Sequence, residues 1–164
     1  MRKVVVNSSP LIALSGIRQL DILRKLYGEI HIPTAVYDEI SAKPNSICKR
    51  LVDDATDWIK IDSISNRLAK KLFQSRLHAG EVEAIILSQE LEANLLVIDD
   101  ALAKKHAQYL GICVTGTLGV LMRARQANLI GALHPQIKKL RQNHIYISEA
   151  LVAICLKMVG EDVC

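Results

Sequence analysis

Short runs of branched apolar residues recur along this chain, each stopped by a polar group and followed by a stretch with helical spacing. Residues 3–6 read KVVV, 29–32 EIHI, 95–98 LLVI and 112–114 ICV. Runs this short and this apolar suit strands buried on both faces, which is the condition of a parallel sheet covered by helices. Between them the apolar period lengthens. Leu11, Leu14, Ile17, Leu20, Leu23 and Leu26 recur until Gly28, which predicts one helix opened by Ser9 and Pro10 and closed by the glycine. Pro33-Thr34 opens a second helix holding VYDEI, residues 51–55 suggest another, and WIKI (58–61) alternates as a short strand.

Residues 67–77 predict a basic amphipathic helix with Lys70, Lys71 and Arg76. Gly80 is read as a break before the strong helix EVEAIILSQELEA. ALAKKHAQYLG predicts a helix closed by Gly111, and further helices fall at 117–130, 135–142 and 148–159. Strand and helix in alternation give an α/β class. With 164 residues, no repeat and no linker, a single domain over 1–164 is expected, with a core of about 3–130 and a C-terminal helical extension of about 131–164. Leu151, Ile154, Cys155 and Met158 share a helical face, for the core or for a dimer contact.

The totals remove several functions. One Trp, one Phe and four Tyr argue against a reader that stacks bases on exposed rings. Four scattered cysteines with no C-x-x-C, and five histidines with no H-x-x-x-H, argue against zinc and against a disulfide framework. No run has signal-peptide form or the length of a membrane span, so a cytoplasmic protein away from membranes is expected. The formal net charge of +4 is compatible with a nucleic-acid backbone and equally with an ordinary soluble surface.

In an open parallel sheet, ligands bind beyond the carboxyl ends of the strands. The polar residues just past those ends are Asn7, Ser8 and Ser9, then Asp99 and Asp100, then Thr115, Gly116 and Thr117. Glu39 in VYDEI and Glu81 after Gly80 can join them from helices. Such a set holds oxygen donors without thiolate or imidazole, which suits Mg²⁺ or Mn²⁺. Hydrolysis of phosphodiesters is the chemistry that uses such clusters. Each residue also has an ordinary explanation: Glu39 as a solvated helix residue, Glu81 and Glu83 as first-turn acids, Asp99 as a helix cap, Asn7 and Ser9 likewise. Those explanations leave the joint order of the features unaccounted for.

The stretches VVVNSSPLIALSGIRQLDIL, IHIPTAVYDEI, LHAGEVEAIILSQELEANLLVIDDALAKKHA and LGICVTGTLGVLMRA resemble the PIN-domain family, in its DUF3368 branch related to VapC toxins. The resemblance implies a three-layer α/β/α sandwich with a central parallel sheet. It also implies a Mg²⁺- or Mn²⁺-dependent ribonuclease leaving 5′-phosphate and 3′-hydroxyl ends. The family's acidic site falls on Asn7, Glu39, Glu81 (or Glu83) and Asp99 or Asp100, with Ser9 two positions after Asn7. Thr115 and Thr117 are expected to position substrate, and Lys70, Lys71, Arg76, Lys104 and Lys105 to meet an RNA backbone. A small antitoxin protein and a homodimer are the implied partners. Asn7 stands where the family pattern carries aspartate: an amide oxygen can ligate a hard cation but brings no charge. A PIN fold kept as a silent binding module is therefore the rival expectation. No G-x-G-x-x-G follows the first strand, which argues against a dinucleotide-binding enzyme.

Overall fold

A computed structural model describes residues 2–73 and 77–161. Within them five strands form one all-parallel sheet: β1 (Val4–Val6), β2 (Ile30–Pro33), β3 (Ile59–Asp62), β4 (Leu95–Val97) and β5 (Val114–Thr115). Their spatial order is β3-β2-β1-β4-β5. The chain steps outward from β1 to β3 and then returns to lay β4 on the other side of β1. That reversal creates a crevice at the carboxyl ends of β1 and β4, the place where open α/β sheets bind ligands. Register aligns the two strands: Val4 sits beside Leu95 and Val6 beside Val97.

Strand alternation sends successive residues to opposite faces. Val4, Val6, Leu95 and Val97 join a large cluster on one face, with α1 (Ser8–Gly16), α2 (Asp21–Tyr27), α3 (Thr34–Ser41), α4 (Ile47–Asp53), α8 (Thr117–Gln126), α9 (Leu133–Gln142) and α10 (Glu149–Met158). Val5, Leu96 and Ile98 face α6 (Ala79–Glu90) and α7 (Ala101–Tyr109) on the other. A short helix, α5 (Arg67–Phe73), packs on α6. The three-layer α/β/α sandwich expected from the sequence is the observed fold. No helix among the described residues is long and apolar enough to cross a membrane.

Four local expectations need correction. The helix anticipated from Leu11 to Leu26 is two helices, broken over Ile17–Leu20, where Arg18 takes φ +59° and Gln19 N–H reaches back to Leu14 O at 2.8 Å. Ser9 does not cap the first helix: the cap position is Asn7, whose side chain makes no capping bond. Gly80 does not break the chain but lies buried inside the first turn of α6. On α10 the buried stripe is Val152, Cys155 and Leu156, whereas Leu151, Ile154 and Met158 are exposed. The basic helix is described over Arg67–Phe73, and Arg76 lies outside the described residues.

Candidate functional site

Asn7 follows the last residue of β1 and is anchored there by its own N–H, which donates to Val97 O at 2.9 Å. An extended backbone at this cap position (φ −82°, ψ 169°) turns the chain from strand into α1. Its side chain is only 2% exposed, and Oδ1 has no hydrogen-bond partner. A buried acceptor left unpaired costs roughly 1–3 kcal/mol. Asn7 is one of the residues around a cleft of about 440 Å³, with Ser8, Ser9, Glu39, His78, Glu81, Asp99 and Asp100.

Three separate stretches supply the four carboxylates. Asp99 follows β4 and is held by the start of α8: Thr117 N–H donates to Oδ1 at 2.7 Å and Thr117 Oγ1 to Oδ2 at 2.6 Å. Asp100 caps α7 by accepting from Ala103 N–H at 2.8 Å. Glu39 projects from α3 and accepts a hydrogen bond from Ser8 Oγ at 2.8 Å. Glu81, in the first turn of α6, reaches back to the His78 N–H at 3.2 Å. Burial pushes the Glu81 carboxyl above its usual range. The His78 N–H opposes the shift, and the nearby charges of Asp100 and Glu39 add to it.

Two glycines let these groups approach the backbone. A Cβ on Gly80 would stand 2.8 Å from Glu39 Oε2 and 3.6 Å from Asn7 Oδ1. A Cβ on Gly116 would stand 2.6 Å from Asp99 Oδ1 and 2.9 Å from Lys104 Nζ, so the Lys104 ammonium lies near Asp99. The cleft is thus built from α3, α6 and the ends of β1 and β4. Even so, no three His, Cys, Asp or Glu side chains among the described residues are grouped tightly enough to hold a metal ion as they stand.

Asn7, Ser9, Glu39, Glu81, Asp99 and Asp100 all line the cleft. Of the alternatives left by sequence, Glu83 does not. It is buried on the other side of α6, where it accepts from Ala35 N–H at 3.0 Å and pairs with Lys70 at 2.5 Å. Both Asp99 and Asp100 remain on the rim. Thr115 is misplaced by the sequence reading. It shares the sheet face of its neighbour Val97 and turns toward Gly119, away from the acids. Thr117 is buried and positions Asp99. His78 was not singled out by sequence, and Ser8 was named only as one of the polar residues past the first strand. A cap position three residues before Glu81 is the signal that would have pointed to His78. The bond from Ser8 to Glu39 left no mark in the sequence, because it spans 31 positions.

A profile of DUF3368, described as a PIN domain, matches residues 3–161. The chain belongs to the PIN-domain family. PIN domains are generally nucleases; they act on nucleic acids and usually bind divalent metal ions. Among solved structures, a PilT N-terminus domain protein, SSO1118, from the hyperthermophilic archaeon Sulfolobus solfataricus P2 is similar with a TM-score of 0.54 at 22% identity. The match covers 74% of this chain and 92% of that one, and it shows a shared fold. A domain of a functionally unknown protein from Methanocaldococcus jannaschii DSM 2661 gives a TM-score of 0.46 at 18% identity, covering 71% and 91%. No curated protein matches the chain.

Proposed function

We propose that this PIN domain is a Mg²⁺- or Mn²⁺-dependent endoribonuclease whose site is the cleft of Asn7, Glu39, Glu81 and Asp99, with Asp100 at its rim. The observation that carries the reading is the unpartnered, buried Oδ1 of Asn7, a residue of the same cleft that four carboxylates line. The orphaned amide oxygen lacks a partner and the carboxylates around it lack counter-charge, and a hard cation coordinated by these oxygens would answer both needs. All the donors are oxygens, the preference of Mg²⁺ and Mn²⁺.

Asn7, Glu39, Glu81 and Asp99 would hold a divalent ion there, which would offset charge on the phosphodiester and lower the pKa of water. The chain's own residues do the rest. Thr117 fixes both oxygens of Asp99, so that carboxylate needs little reorganisation to serve as a ligand. Ser8 holds Glu39 Oε2, which lies with Asn7 Oδ1 beside Gly80, and Glu81 takes the His78 N–H through Oε2 alone, which leaves its Oε1 for a ligand. Ser9, exposed on the rim, is placed to donate to a phosphate oxygen. Lys104 offsets part of the negative charge beside Asp99.

The toxin role belongs to the same proposal: RNA as substrate, a small antitoxin protein covering the cleft, and a homodimer as the assembled form. One observation favours the rival reading of a silent module, namely the missing charge at Asn7. Purified protein supplied with Mn²⁺ is expected to cleave single-stranded RNA, and Glu81→Gln or Asp99→Asn to abolish the cleavage. Cleavage that survives both changes excludes this cleft. An inactive parent that becomes active only as Asn7→Asp supports the silent module.

A further inference from the structure

A second, larger concavity of about 890 Å³ adjoins the acid cleft and shares Glu39 and His78 with it. Its far wall is α5, where Arg67, Lys70 and Lys71 fall three and four residues apart and so lie on one side of the helix. The three cations have different circumstances. Lys70 is spent on buried Glu83 at 2.5 Å, a bond that docks α5 onto α6. Glu83 also takes the Ala35 N–H, tying the same wall to the start of α3. Arg67 and Lys71 are exposed, and among the described residues neither has a carboxylate within salt-bridge distance. The same lining includes Thr34 and Ser63, whose hydroxyls lie 3.1 Å apart, the apolar Ala35, Ile64 and Ala79, and the acids Asp38, Glu39 and Glu83, the last of them paired with Lys70.

We infer that this groove carries the sugar-phosphate backbone of single-stranded RNA into the acid cleft, with Arg67 and Lys71 each neutralising one phosphate. The inference rests on the ribonuclease reading for its substrate class and adds the path the strand takes. Among the described residues the lining has two free cations, two hydroxyls and no Phe, Tyr or Trp, so it offers contacts to phosphate and ribose rather than stacking platforms for bases. Such a wall grips the strand without reading its sequence. It also holds the polyanion against the repulsion of the neighbouring acids. Lys70, already neutralised, contributes by keeping α5 in place.

The test is binding of a short fluorescent uridine oligonucleotide, followed by anisotropy in EDTA over a range of salt concentrations. Arg67→Gln/Lys71→Gln is expected to weaken binding and to reduce the slope of log K against log salt by about 1.4, two phosphates at roughly 0.7 each. Arg24→Gln/Lys25→Gln removes the same charge from α2, where the two cations pair with Asp57 and Asp21, and is expected to leave the slope unchanged. An unaltered slope in the groove variant, an equal loss in the control, or no RNA binding by the parent overturns the inference. So does tighter binding of duplex DNA through the same two residues. Because the readout needs no metal, it separates the two readings. Salt-dependent RNA binding through Arg67 and Lys71 without Mn²⁺-dependent cleavage leaves the groove standing and removes the nuclease. Cleavage with an unchanged KM in the groove variant does the reverse.

Discussion

Glu81 is held in a position that suits a cation better than it suits the bare protein. Partial burial and the charges of Asp100 and Glu39 outweigh the His78 N–H and raise its pKa. A carboxyl whose folded pKa is raised favours the folded state while protonated. That advantage is complete below the ordinary Glu value of about 4.3 and is lost as pH rises through the folded pKa. At neutral pH the ionised group therefore works against the fold. Glu81→Gln keeps an acceptor for the His78 N–H and removes the charge, so thermal melting at pH 7 should show a higher Tm than the parent, with the difference closing below pH 4. Mn²⁺ should raise the Tm of the parent more than that of the variant. A lower Tm for Glu81→Gln at pH 7 refutes this account of the residue. Asn7 contributes to the same balance from the other side: as an aspartate it would add a fifth carboxylate charge to the cleft walls, and as an amide it leaves an empty acceptor.

Helix α6 brings Glu81 to the cleft only because its first turn passes close to α3, and Gly80 is what permits that approach. An alanine there meets Glu39 Oε2, the mobile end of a side chain, rather than rigid backbone. Gly80→Ala should thus leave the fold intact, even gaining about 0.5–1 kcal/mol from helix propensity, while pushing Glu39 off its place and lowering Mn²⁺ affinity. Denaturant unfolding and metal titration of the same variant check both halves; unchanged metal affinity contradicts the assigned role. Gly80 also shows why some of the site was hidden. In sequence a glycine before EVEA looks like a breaker, and its tight contact with α3 is visible only once the two helices are packed. The break between α1 and α2 was hidden for another reason. Leu11 to Leu26 recur strictly every third residue, and at 3.6 residues per turn such a series rotates around a straight helix instead of keeping to one face. Interrupting the helix at Arg18 lets Leu14 and Leu23 both point inward.

The sandwich itself was legible, because buried strands and intervening helices leave composition and spacing that few other architectures produce. KVVV and LLVI are adjacent strands in the sheet, and the residues just past them are the ones that open on the cleft. What sequence could not resolve were matters of which side a residue faces. Glu81 and Glu83 are two residues apart on α6, yet one lines the acid cleft and the other is buried against α3 and Lys70. Thr115 and Thr117 are equally close in sequence, but the first lies in a strand and follows its alternation while the second starts a helix and turns to Asp99. The order β3-β2-β1-β4-β5 then makes one place of segments some 90 residues apart, from Asn7 to Asp99. Anomalous diffraction from a crystal soaked in Mn²⁺ tests that convergence most directly. The account predicts a peak in the cleft within ligand distance of Asn7 Oδ1, Asp99 and at least one of Glu39 and Glu81. Fully ordered side chains with no anomalous density between them would contradict it.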